Sequence, residues 1–466
     1  MPVPARSHLD ATPVPGSDSR PPDELKGPSR RSDRLRTTAL ALSQAAVLTA
    51  LFVLAWRRAW SLAVPGFPVA GAPYHHLGQR IRMVEVLAVL ASVSFVLASS
   101  AARLRLWRGP LGVFAVSALA LIGLAGASSL WAAKPALAVV QALHMLIWVA
   151  FALVVAEIRL PPDRMATAFV LGLLVHSTVG FAQVILQNHV GLFVLGELRI
   201  PSDDPLKFVT AGSSLFLRAY GLSTHPNVLA GHLAVGLVLC WGLAARRRSV
   251  GRGLVFLTWA ALFASLLLTF SRSGWLAALF GMTVALIWLG RLGRLSRRTV
   301  GFICKLTVIA AVLVAVFAYA FDLFLVPRIL DALQGRDPRL LMMTTAMKLI
   351  AEHPLVGVGA GNFSEVTRFD AVHNVPLLIG AELGLAGLAA VGTMVIVIVA
   401  VGYRRWCASV HRWHALVAGS LVGLVTVSLF DHYLWTQPQG ALLGAWLIGW
   451  HLTDDPESGV HQRQGS

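Results

Sequence analysis

The feature that most constrains this chain is a series of apolar runs, each about as long as a membrane-crossing helix. A hydrocarbon core roughly 30 Å thick needs about 20 apolar residues at about 1.5 Å rise per residue. Runs of that kind fall at about 37–56, 83–101, 110–131, 135–157, 166–188, 226–244, 253–270, 273–290, 299–321, 375–402, 413–431 and 434–451. Lipid offers no partners to backbone amides and carbonyls, so such runs must be helical. The sequence therefore specifies an all-α polytopic membrane protein with about 12 transmembrane helices. Composition agrees: 56% of the 466 residues are hydrophobic and 13% are charged, about half the charged share of a soluble domain.

The net charge of +17 fits two partners, nucleic acid or the cytoplasmic face of a membrane. The basic residues sit in short clusters between apolar runs, which favours the membrane and argues against nucleic acid. With a cytoplasmic N-terminus, the inner loops carry Arg103, Arg105 and Arg108; Arg159 and Arg164; Arg246, Arg247, Arg248 and Arg252; Arg291, Arg294, Arg297 and Arg298; and Arg404, Arg405 and Arg412. Each inner loop is basic, as the positive-inside rule requires. Arg57, Arg58, Arg80 and Arg82 depart from it in the first outer loop. The expected organisation is a disordered cytoplasmic tail over 1–36, a helical bundle over 37–452 and a cytoplasmic tail over 453–466. Cys240, Cys304 and Cys407 have no metal-ligand spacing and form no disulfide framework. No metal or other cofactor is expected.

Non-helical residues are concentrated in two outer segments, 188–225 and 322–374, and loops are where function concentrates. Within the second, Asp337-Pro338 reads as a helix start. Leu340, Met343, Met347 and Ile350 then recur on one face, as in an amphipathic helix lying at the outer leaflet. The glycines at 357, 359 and 361 follow without the Lys-Ser/Thr of a phosphate-binding loop. They read as a close-packed turn that lets backbone approach the bundle or a ligand.

Several polar residues sit where an apolar chain tolerates few. Arg272 lies in Leu268-Thr-Phe-Ser-Arg-Ser-Gly274, between two spans with almost no loop. It is either a cation snorkelling from a helix end or an anion site. Arg218 enters from the same side. Two arginines there suit a diphosphate, because each can make bidentate bonds to phosphate oxygens. His373 and Asn374 open the next span, and histidine suits proton transfer near neutral pH. Glu382 lies two turns inside that span, where an ionisable group is functional by default. Asp431, beside His432 at another helix end, could pair with an arginine or orient an acceptor.

Three stretches together resemble the O-antigen ligase and polymerase family of bacterial envelope glycosyltransferases. They are Arg218 to Ala230 with its His-Pro-Asn; Leu268 to Leu276 with its Ser-Arg-Ser-Gly; and Arg339 to Gly387, which contains the glycine turn, His373-Asn374 and Glu-Leu-Gly-Leu-Ala-Gly387. The resemblance covers roughly 210–450. It implies a GT-C-like fold and a metal-independent, inverting transferase in the inner membrane, with its active site facing the periplasm. The implied donor is a glycan on undecaprenyl diphosphate, and the acceptor is lipid A-core or another glycan. By the same resemblance Arg218 and Arg272 hold the donor diphosphate and His373 activates the acceptor. Arg339, Asn374, Asp431 and Glu382 are expected at the substrate. A ligase is expected, with a repeat-unit polymerase as the alternative. A membrane transporter is the alternative of another class, although the chain lacks the internal repeat of many transporters.

Overall fold

In the computed structural model the described residues are 30–61, 80–99, 109–200, 208–211, 214–245, 249–292, 338–408 and 411–453, with scattered residues of 301–319. Fourteen α-helices organise them. We number these α1 (Arg30–Phe52), α2 (Met83–Ala98), α3 (Gly109–Ala127), α4 (Pro135–Ile158), α5 (Pro162–Leu186), α6 (Pro226–Ala244), α7 (Ser249–Leu268) and α8 (Arg272–Arg291). The series continues with α9 (Pro338–Glu352), α10 (Phe363–Val366), α11 (Val375–Ala408), α12 (Arg412–Ser428), α13 (Tyr433–Thr436) and α14 (Pro438–Leu452). Eight of the described helices are long and apolar enough to cross a membrane. The structure is thus an all-α polytopic membrane fold. Among the described residues the strands form two short antiparallel pairs, Ala59–Ser61 with Arg80–Arg82 and Phe208–Ala211 with Ser214–Leu217.

Local sequence sets the helix starts. Proline stands in the first turn of α4, α5, α6 and α14, where its missing N–H costs nothing and its fixed φ favours the helix. Helix α1 begins at Arg30, so residues 30–36 belong to the helix rather than to the expected tail. Most of the expected span at 299–321, and the tails outside 30–453, lie outside the described residues.

Helix α6 is buried along nearly its whole length and packs against α5, α7, α8 and α12. Close approach depends on small residues, the usual device for helices in lipid. A Cβ on Gly281 of α8 would lie 2.9 Å from the Gly419 carbonyl oxygen of α12, and one on Gly419 would lie 2.4 Å from the Gly281 oxygen.

Helix α11 is broken. Gly384 has φ 63 and ψ −161 inside an otherwise helical segment. The break removes the helical bonds from Leu385 N to Ala381 O and from Ala386 N to Glu382 O. The glycine turn replaces them. Val358 N donates to Ala381 O (3.0 Å) and Gly359 N to Glu382 O (2.8 Å), while Leu385 N donates to Pro354 O (2.8 Å) and Ala386 N to Leu355 O (3.1 Å). All four orphaned groups are satisfied, as buried backbone requires. Two glycines permit the approach. A Cβ on Gly357 would lie 2.3 Å from the Glu382 carbonyl carbon, and one on Gly384 would lie 2.4 Å from that of Leu355. The turn therefore approaches the bundle, the first of its two expected partners.

Helix α9 forms where expected, but its inward face differs. Ala346 is fully buried, with Met342, Met343, Leu349 and Ile350 packed beside it. Leu340 and Met347 of the expected stripe are exposed. The inward stripe centres on alanine because the helix lies close to α11, where Ile350 meets Gly380.

The break makes a stability prediction. Gly384→Ala combines a positive φ with a backbone clash, and strained non-glycine backbone costs about 1–3 kcal/mol. Thermal unfolding of the purified protein in detergent is expected at a lower temperature for Gly384→Ala, while Gly392→Ala, open on all sides, melts like wild type.

Candidate active site

The polar residues of interest gather at the bundle end formed by the α7–α8 corner, the segment before α6, the start of α11 and the α12–α13 connection. Three residues, 269–271, separate α7 from α8. Phe270 takes a left-handed backbone (φ 51), and the Ser271 hydroxyl caps α8 by accepting from Gly274 N at 3.4 Å. Arg272 is then the first residue of α8. Its cation and the positive end of the helix share one place, a combination that attracts anions.

Arg218 follows the strand Ser214–Leu217. Ala219 N donates to Leu268 O at 2.8 Å, which fixes this strand exit against the α7–α8 corner. The Arg218 Nε donates to Thr269 O at 2.8 Å and its Nη2 to Asn227 Oδ1 at 2.7 Å. The expected meeting of Arg218 with the Arg272 corner is present, and the charges of Arg339 and Arg272 both bear on Arg218. Burial lowers the Arg218 guanidinium to about 10, so it remains a cation at neutral pH.

Asn227 extends the network. Its Nδ2 donates to Asp431 Oδ2 at 2.7 Å. Asp431 is buried, and its Oδ1 accepts from His432 N at 2.8 Å. The His373 Nδ1 lies 3.6 Å from Asp431 Oδ1, and the His373 and His432 rings meet edge to face at 4.9 Å. Burial alone would raise the Asp431 carboxyl. The His373 ring, then His432 and His225, outweigh it and hold the group well below the usual carboxylate range. Asn374 caps α11, accepting from Leu377 N at 2.9 Å, and donates to Leu429 O at 3.2 Å. It positions His373 relative to the α12–α13 connection.

The sequence singled out Arg218, Arg272, Arg339, His373, Asn374 and Asp431, and these gather at this end. Glu382 is elsewhere. It is 3% exposed, accepts from the Trp435 indole N–H at 2.9 Å and faces the backbone amides of Gly361 and Phe363. It joins the glycine turn to α11 and α13, beneath the site. Asn227 and His432 were not singled out as site residues. The His-Pro-Asn triplet was the available signal, since a side-chain amide in the first turn of α6 can donate and accept at once.

His373, Asp431 and His432 each offer a ligand atom, all within 4.8 Å of one another. That spacing could hold a cation, but the arginines grouped around Arg218 set an opposing field. The same arrangement favours a polyanion beside a histidine–carboxylate pair.

Residues 256–392 match the family model described as O-antigen ligase. The match spans α8, α9, the glycine turn, His373 and the break in α11. The match covers under a third of the chain, and over that stretch the chain is similar to the O-antigen ligase and polymerase family. A comparison with curated proteins finds no match.

His225 supplies a pH test of this region. Its Nδ1 accepts from Asn227 N at 3.1 Å and caps α6. Burial, then the Arg218 charge, lowers its imidazole from 6.5 to about 3. A depressed folded value gives stabilisation that is full above about pH 6.5 and lost as pH falls toward about 3. Asparagine can cap without titrating. Melting temperatures across that window are therefore expected to fall more steeply for wild type than for His225→Asn.

Proposed function

We propose that this chain is a metal-independent, inverting glycosyltransferase that moves a glycan from undecaprenyl diphosphate to lipid A-core, as an O-antigen ligase. The observation that carries the reading is the bonded series Arg218–Asn227–Asp431, with His373 3.6 Å from its carboxylate end. It sets cations for a leaving diphosphate and a base for an incoming hydroxyl in one polar network.

Transfer breaks the bond from the anomeric carbon to the diphosphate oxygen, and the electron pair leaves with the diphosphate. Arg218 and Arg272 stabilise that developing charge, with Arg339 close by. Fixed cations act there without reorganising. The acceptor oxygen forms the new bond from the opposite face, which inverts the anomeric centre. Its proton passes to the His373 ring, which lies 3.6 Å from the Asp431 carboxylate. Asn374 fixes the backbone that carries the base. Glu382 supports the site from beneath through the turn and Trp435, a role that does not need the ion-coupled site of a transporter. In this reading the site faces the periplasm, the chain lies in the inner membrane and both termini are cytoplasmic, as the basic inner loops favour.

The test is transfer by purified protein from an undecaprenyl diphosphate-linked glycan to lipid A-core in the presence of a chelator. Wild type is expected to make product. Arg218→Ala and Arg272→Ala are each expected to lose about 10²–10³ in rate, and His373→Ala about 10²–10⁴. Longer lipid-linked chains made without lipid A-core would identify a repeat-unit polymerase instead. Unchanged rates in all three variants would overturn the assignment of these residues.

A further inference from the structure

An apolar cavity among the described residues stands outside this account. A cleft of about 450 Å³ lies between α3, α4, α11, α12 and α14, within the size range of ligand pockets. It exists because α11 packs chiefly on α3 and only lightly on α12 and α14. Val395, Val399 and Val425 line it and are exposed, so it opens sideways from the bundle, toward lipid. Along α14 it runs from Gly440 to His451, roughly 16 Å at the helical rise. Near its far end the His451 Nε2 is bonded to Ile398 O at 3.0 Å.

Its near end decides what it holds. Val375, Ser428 and Leu434 line it there, and they flank His373-Asn374 on one side and Asp431-His432 on the other. No lining residue comes from α6, α7, α8 or the segment before α6, which carry Arg218 and Arg272. The cleft therefore ends at the base side of the site and not at the arginine side. An apolar chain lying in it would present its polar head to His373.

We propose that this cleft binds the hydrocarbon tail of the acceptor, so that the acceptor is a glycolipid that enters sideways from the membrane. The proposal rests on the transferase reading for which substrate meets His373. The donor's tail lies elsewhere, on the side of the arginines. The cleft thereby separates the two lipid substrates: each reaches the site by its own apolar path, and only their heads meet.

Two substitutions fill the cleft with little disturbance. A Cβ on Gly444 meets nothing within 4 Å, so Gly444→Phe projects into open space, and Val425→Trp narrows the mouth. Gly123→Phe on the exposed side of α3, also open, is the control. With the full chain in lipid nanodiscs, the filling variants are expected to raise KM for lipid A-core at least tenfold. KM for the lipid-linked donor, and turnover of a deacylated, tail-less acceptor glycan, are expected to stay unchanged, as is every parameter of Gly123→Phe. A rise confined to the donor KM would give the cleft to the donor and overturn the proposal. Unchanged constants for both substrates would make it a site for bulk lipid and overturn it equally. A binding readout separates this from the reaction itself. Lipid A-core with a diazirine in one acyl chain is expected to crosslink to cleft residues in wild type and much less in Gly444→Phe. Absence of crosslinks there refutes the cleft whether or not transfer is seen. Crosslinks in a protein that transfers nothing would keep the cleft and remove the transferase reading.

Discussion

The exchange of backbone hydrogen bonds between the glycine turn and the break in α11 holds this structure's functional end together. A membrane helix cannot simply be interrupted, because each unpaired amide or carbonyl in hydrocarbon costs several kcal/mol. Here Val358 and Gly359 donate to the carbonyls that the break releases, and Pro354 and Leu355 accept from the released amides. The turn is stitched in turn to the α3–α4 corner. The Trp131 indole donates to Gly357 O at 3.1 Å, Ala360 N donates to the Ser128 hydroxyl at 3.0 Å, and Asn362 Oδ1 accepts from Lys134 N at 2.7 Å. Three parts of the chain far apart in sequence thus fix the direction of the short helical segment that begins after His373.

From that anchor the polar network can be followed outward. Asn374 ties the start of α11 to Leu429, which sets His373 against Asp431. Asn227 links Asp431 to Arg218, and Arg218 reaches the α7–α8 corner at Thr269. Arg218, Asn227 and Asn374 each have a partner on a different element, so their side-chain entropy is already lost before any substrate arrives. Such preorganisation is what electrostatic stabilisation of a leaving group requires. The charge pattern also has a direction, with cations toward α8 and the histidines toward α12.

The eight membrane-length helices among the described residues were legible from apolar run length alone, and the α7–α8 corner from its missing loop. The gathering of Arg218, Arg272, His373 and Asp431 at one end was legible because each sits at a helix end of the same expected side. The break in α11 was not. Gly384 lies in a run rich in small residues, and nothing local distinguishes a glycine at φ 63 from a helical one such as Gly392. Its partner strand of backbone is more than twenty residues away, so only the docked turn reveals it. The partners of Glu382 were not legible for a related reason. A carboxylate in an apolar helix suggests chemistry, but its partners are an indole on α13 and amides beyond the turn, which sequence periodicity cannot bring together. The inward face of α9 differed from its apolar stripe because a close helix neighbour favours alanine over a larger side chain.

The bond exchange at Gly384 also bears on how the protein is made. Residues 354–359 emerge from the ribosome before α11, and while α11 is unbroken its own carbonyls and amides satisfy one another. A straight α11 would leave Val358 N, Gly359 N, Pro354 O and Leu355 O of the turn without these partners, so the turn and the break satisfy each other only together. The direction of the segment carrying His373 therefore depends on the docked turn.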